Sequence, residues 1–355
     1  MDDPIMNMHS TLAGEAIPFA IPTSTWDDSV AASMNESELL LYRSNLLGGD
    51  IGSMKLDGFA TLYEDKLLAL EEHYSGDDDD DKMVGFLPHC TFNLNNRAAS
   101  IDTPLHSLLP YKHIDHVHPD AIIALAASSG GEAVTREIWG DDIGWLPWKR
   151  PGFTLGVMIR DFARANPNAK GAMLAGHGII CWADTARECY EQTVRLIAEA
   201  AQYLNNKLAG GPAFGGAVHA PLPDRVAISA KLMPRLRALM TGDRRKIGHF
   251  SDDLETLEFV GSADFERLAA LGTSCPDHFL RTKIAPLTLD PARLEDDEYL
   301  AQKIADYRDL YAAYYERCKR DTSPAMRDAN PIVVLVPGVG RMTFAKDKAT
   351  ARIAG

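Results

Sequence analysis

The sequence predicts an α/β fold in two parts, and three observations lead there. Short apolar runs of strand length alternate with helical patterns through the middle of the chain. A long amphipathic helix follows one such run directly, and a further strand-like run recurs near the end. At 355 residues the chain is long enough for two domains of roughly 100–200 residues each.

In order along the chain, residues 1–34 carry small, polar and proline residues without sustained periodicity. They read as an arm that is mobile or orders on docking. From Asn35 the run NESELLLYRSNLL starts a helix that Asn35 or Ser37 could cap, with Leu39, Leu40, Tyr42, Leu46 and Leu47 as its apolar side. A second helical stretch spans Thr61 to Tyr74 and leads into the acidic run Asp77 to Asp81, which reads as a solvated, self-repelling loop rather than a metal site.

The runs AIIALAAS (Ala121 to Ser128) and GAMLAGHGIICW (Gly171 to Trp182) have the length and apolarity of buried strands. Thr185-Ala-Arg-Glu188 is a capping-box pattern, and Tyr190, Val194, Ile197, Ala201 and Leu204 fall on one face of the helix after it. Glycines and prolines from Gly210 to Pro223 mark a break. A helix from about Asp224 to Met240 stops at Gly242, and Pro234 is expected to kink or divide it. A late strand covers Ile332 to Val336, and no internal repeat shows at solenoid periods. The expected domains are an arm over 1–34, a layered domain over 35–242 and a C-terminal extension over 243–355.

Composition removes several function classes. Hydrophobic residues are 46% and charged residues 24%, ordinary for a packed soluble chain. No apolar run reaches the roughly 18 residues of a membrane span. The acidic start MDDPIMNMHS does not resemble a secretory signal, so the cytoplasm is the expected compartment. A net charge of −14 opposes nucleic acid and anionic membrane as partners, so an anionic substrate needs a local cation. Five cysteines without a CxxC pair argue against a disulfide framework or zinc ribbon and read as buried or incidental thiols.

Four of the 11 histidines fall between His106 and His118. On an extended segment His116 and His118 share a face, and two neutral imidazoles side by side suit a divalent metal; cross-strand surface histidines are the plainer reading. A distant third ligand is then needed, and His177, between two glycines in an apolar run, is the best candidate. For proton transfer Asp102 is the nearest carboxylate oriented by a turn, unless it serves a local Asx-turn before Pro104.

These residues resemble the class II aldolase/adducin superfamily, most closely the aldolase half of bifunctional rhamnulose-1-phosphate aldolase/short-chain dehydrogenase proteins. The segments that carry the resemblance run in order over most of the chain: WDD, ELLLYRSNLLG, GFATLYEDKLLALE, MVGFLPHCTFNLN, ASIDTPLH, HIDHVHPDAIIALA, WLPWKRPGF, GHGIICWADTARECYE, GTSCPDHFLRTK and VVLVPGVGRMTFAKDKATARIA. The resemblance implies a class II aldolase-like α/β/α domain with a central mixed sheet, plus an α/β extension. It also implies zinc-dependent cleavage of a ketose 1-phosphate to dihydroxyacetone phosphate and L-lactaldehyde. Carried onto this chain, the metal ligands are His116, His118 and His177, and the acid/base carboxylate, Glu in simpler relatives, is Asp102. Homo-oligomers with sites near subunit boundaries, acting on a small sugar phosphate, follow from the same resemblance.

Two departures bear on this reading. The family's glycine-rich turn after YRSNLLG is absent: Gly48 runs directly into Gly49-Asp50-Ile51-Gly52-Ser53, leaving Ser100 and Gly49 as the candidate phosphate-binding residues. The sequence also stops at Gly355, where relatives continue toward a dehydrogenase domain, so lactaldehyde oxidation is expected to be absent. Gly338-Val-Gly340 lacks the rest of a dinucleotide fingerprint, and no nucleotide cofactor is expected. Cys275-Pro-Asp-His278 reads as a helix-cap turn rather than a metal pair. The rival functions are a non-catalytic interaction module and a sugar-phosphate epimerase.

Overall fold

The structure, a computed structural model, describes residues 18–76, 79–92, 97–208, 212–242, 244–321 and 323–355; Asp77, Asp78 and most of the N-terminal arm lie outside them. The chain divides into two compact units, with the division between Asn205 and Asn206.

The first unit runs α1 (Asp28–Ala31), α2 (Glu36–Leu47), α3 (Glu64–Ala69), α4 (Asp80–Phe86), α5 (Thr103–Ser107), β1 (His113–Val117), α6 (Asp120–Ala126), α7 (Gly131–Trp139), β2 (Ile143–Leu146), α8 (Phe153–Ala165), β3 (Gly171–Leu174), β4 (Gly178–Ala183) and α9 (Ala186–Leu208). Its sheet has the order β1-β4-β3-β2, with β2 parallel to β3 and the other pairs antiparallel. Side chains alternate across the strands. Ile114, Ile180, Ala172 and Trp182 pack under α5 and α8, while Val117, Ile179, Met173 and Cys181 pack under α6, α7 and α9. Helices therefore cover both faces, giving an α/β/α arrangement.

The second unit contains α10 (Arg225–Met240), β5 (Ile247–Ser251), α11 (Leu254–Val260), α12 (Phe265–Ala269), α13 (Pro276–Thr282), β6 (Leu287–Thr288), α14 (Asp297–Cys318), β7 (Val333–Val336), β8 (Gly340–Ala345) and α15 (Lys348–Ile353). Its sheet order is β5-β8-β7-β6, again with one parallel pair, β6 with β7. Among the described residues no helix is long and apolar enough to cross a membrane.

Several expectations are corrected. The boundary does not fall at residue 242: Leu232, Leu236 and Met240 of α10 are buried with Leu300, Ile304 and Phe344, so this helix is core to the second unit. Residues 19–34 are not a separate arm, because Phe19 packs on the first unit's core and exchanges two hydrogen bonds with the Asn205 side chain. The run from Ala121 is a helix. Pro119 and Asp120 supply a helix start, and its alanines are strong helix formers. The run from Gly171 is a hairpin, broken by a turn in which Gly176 adopts a φ of 61°, so His177 sits in the turn rather than in a strand.

Pro234 lies inside a single helix, α10, which it does not divide. The helix from Thr61 shortens to α3 and a 3₁₀ turn over Leu70–His73. Within the acidic run Asp81 is exposed as expected, but Asp80 is not solvated: it is buried and its Oδ1 accepts hydrogen bonds from the Thr154 N–H (2.9 Å) and hydroxyl (3.1 Å). Of the two candidate caps it is Asn35 that caps α2, with a complete capping box, yet the buried residues of that helix are Arg43 and Ser44 rather than its leucines.

Candidate metal centre

β1 presents His116 on the same sheet face as Ile114, and His118 follows the strand with the same two-residue spacing. Residue 177 is brought to them by the β3–β4 hairpin, because β4 pairs antiparallel with β1 and places Ile179 opposite Val117. Close approach is needed at this point. A Cβ on Gly178 would lie 2.3 Å from the His118 ring and 2.7 Å from the Val117 carbonyl, so only glycine fits.

The three rings converge through their Nε2 atoms: His116 to His118 is 3.0 Å and His116 to His177 is 3.2 Å. His177 is 2% exposed. His116 Nδ1 lies 3.0 Å from the Ile179 carbonyl, which only accepts, so Nδ1 carries the proton and Nε2 keeps its lone pair. Desolvation pushes the His116 pKa well below the ordinary imidazole value, and His118, His177 and His106 add to it. His116 thus directs the lone pair of its Nε2 toward the point where the Nε2 atoms of His118 and His177 also meet. Ligand atoms of all three lie within 4.8 Å of one another, making a group that could hold a metal ion. A tetrahedral zinc with bonds of about 2.0–2.1 Å spaces its ligand nitrogens about 3.3 Å apart, and a three-histidine set leaves a fourth position open. The residues present fit such an ion.

Asp102 occupies the N-cap position of α5, where its N–H donates to Ser100 Oγ (3.1 Å) and its carboxylate accepts from that hydroxyl at 3.4 Å. Leu105 of α5 packs with Ile114 and Ile180, so Asp102, Ser100 and His106 belong to the helix and turn that cover the histidine-bearing face. Gly49 lies in a 3₁₀ turn directly after α2, exposed, with a φ of 58° and open space around its Cα.

The opposite face of β1 holds a group that the sequence reading did not single out. Arg43 and Asp115 form a buried ion pair; Asp115 also accepts a hydrogen bond from Thr193 Oγ1 (2.9 Å), itself 2.9 Å from Cys181 Sγ. Arg43 appeared in the sequence only as part of YRSNLL. A lone arginine among leucines carries no signal of burial. Four of the five thiols are buried as expected, Cys90, Cys181, Cys189 and Cys275, while Cys318 is exposed; the hydrogen bond to Cys181 together with burial holds Cys189 far above the ordinary thiol range. Gly338 and Gly340 form a turn between antiparallel β7 and β8, whereas a dinucleotide site needs a strand-to-helix turn.

Comparison with known proteins adds three findings. Residues 74–204 match the family model of the class II aldolase and adducin N-terminal domain, and residues 227–355 match that of the aldolase class II second domain. A curated Bacillus subtilis (strain 168) protein, the uncharacterized oxidoreductase YuxG, is 35% identical over 93% of this chain; the chain spans about half (54%) of that protein's length. A solved structure of the N-terminal class II aldolase domain of a conserved protein from Thermoplasma acidophilum aligns at 27% identity and a TM-score of 0.39, covering 44% of this chain and 71% of that one.

Proposed function

We propose that this chain, which belongs to the class II aldolase and adducin family, is a metal-dependent aldehyde-lyase that cleaves a ketose 1-phosphate of the rhamnulose 1-phosphate type to dihydroxyacetone phosphate and lactaldehyde. The observation that carries the reading is the convergence of His116, His118 and His177 through their Nε2 atoms. Bound there, a divalent ion such as zinc would act as a Lewis acid, offsetting the negative charge of the enediolate left by carbon–carbon cleavage. His116 is oriented for this by its Nδ1–H bond to the Ile179 carbonyl. Asp102 is assigned to take the proton from the hydroxyl of the bond that breaks, and to return it to the enediolate carbon. Ser100 Oγ and the Gly49 N–H are assigned to the substrate phosphate. On this reading the protein is a cytoplasmic homo-oligomer acting on a small sugar phosphate.

The test is cleavage of rhamnulose 1-phosphate by the zinc-reconstituted chain, with dihydroxyacetone phosphate measured directly. The expected result is turnover that a chelator abolishes and that Asp102→Asn loses while retaining metal. No cleavage by folded, metal-loaded protein would contradict it. That outcome would favour a non-catalytic role, the second reading, which the exposed position of Gly49 in a short 3₁₀ turn favours.

A further inference from the structure

The two units repeat one another. Both sheets place their strands in the same order with the same parallel pair, and the agreement extends to single residues. In β1–β4 the pairs run from His113↔Ala183 to Val117↔Ile179; in β5–β8 they run from Ile247↔Ala345 to Ser251↔Arg341, five pairs in each. The first strand is followed after two residues by a helix of 7 residues in both units, α6 and α11. Each hairpin turns through a glycine at positive φ, 61° at Gly176 and 71° at Gly338, and closes with the same hydrogen bond, His177 N–H to Leu174 O and Val339 N–H to Val336 O, both 3.0 Å. The helix after the hairpin is capped by Thr185 in one unit and Asp347 in the other, each accepting from the N–H three residues on. The helices also cover corresponding faces: α10 and α14 stand where α5 and α8 do, and α11 and α12 where α6 and α7 do.

This register assigns a counterpart to each histidine. His116, opposite Ile180, corresponds to Phe250, opposite Met342; His118 corresponds to Asp252; and His177 corresponds to Val339. Val339 is fully buried, and Phe250 packs on the same core. The Asp252 carboxylate is held 2.8 Å from the Arg225 guanidinium, at the start of α10. We infer that the second unit is a copy of the histidine-bearing unit in which the metal position has been converted into apolar packing and an ion pair. Among the described residues there are therefore two such positions but a single ligand set, and the chemistry proposed above is assigned to the first unit. The inference rests on that proposal only for what the first position holds.

The test rebuilds the lost set in the full chain with Phe250→His/Asp252→His/Val339→His, and more mildly with Asp252→His/Val339→His. Metal is counted by cobalt titration against the parent. The triple variant is expected to bind one more equivalent than the parent, and the double variant to bind a second cobalt more weakly. The difference between variant and parent is the readout, so a parent that binds nothing would overturn the metal reading of the first unit without touching this one. Native near-UV circular dichroism with no gain in either variant would overturn the inference. So would a parent that binds two equivalents, one of which survives His116→Ala. If both variants unfold, a crystal structure of the parent decides: superposition of residues 247–260 and 333–345 on 113–126 and 171–183 in the stated register supports the copy, and any other register overturns it.

Discussion

Arg43 Nη2 and Asp115 Oδ1 lie 3.2 Å apart with side chains 4% and 6% exposed, on the face of β1 opposite His116. The pair ties α2 to the strand that carries His116 and leads into His118, and Thr193 of α9 donates to the other carboxylate oxygen. The second unit has His249 at the place of Asp115, so this buried pair accompanies only the unit with the histidine set. Removing one partner strands a charge in the interior, at a cost of about 3–5 kcal/mol. Arg43→Met or Asp115→Leu is expected to lower stability by that amount in urea denaturation, and the double variant to recover most of it. Additive losses would show that the two side chains are not coupled.

His177→Ala removes one of three convergent ligands. Metal affinity is expected to fall by more than the roughly 10–100-fold typical of losing an outer-shell partner. Isothermal titration with zinc measures this. Undiminished affinity would exclude His177 from the site.

Gly178→Ala tests the closeness of the hairpin. The added methyl would lie 2.3 Å from the His118 ring and 2.7 Å from the Val117 carbonyl, so ring and backbone must shift. Overpacking of this kind costs about 1–3 kcal/mol. The variant is expected to fold with weakened metal binding, read from its thermal midpoint and a zinc titration.

The neutral character of His116 sets a pH dependence. An unfolded imidazole protonates near pH 6.5, whereas the folded His116 does so only well below that. Between those values the unfolded state binds more protons, so stability rises with pH. It is fully present above about pH 6.5 and is lost as pH falls through the unfolded value toward the lowered folded one. Urea midpoints of the metal-free chain are expected to be flat from pH 8 to 7 and to decline below about 6.5, and His116→Asn is expected to reduce that decline.

The histidine set was legible in sequence because its signal is local: a two-residue spacing and a histidine between glycines are read without knowing the fold. The caps at Thr185 and at Asn35, the latter with Ser37 as the alternative, were legible for the same reason. The helix at Asp120–Ala126 was not, since a short run buried all round has the same apolar pattern as a buried strand. The burial of Arg43 depends on Asp115, distant in sequence, and no local pattern encodes that partnership. The duplication is not legible in the sequence because its most telling residues differ: Gly176-His177-Gly178 and Gly338-Val339-Gly340 are both visible as glycine turns, but their equivalence emerges only from strand register.

The central claim is that three histidines hold a catalytic metal, and metal stoichiometry of the purified chain beside its His116→Ala variant tests it most directly. The account predicts about one zinc per chain, absent from the variant while its fold is retained. A folded parent chain that binds no metal, or a variant that keeps it, would contradict the account.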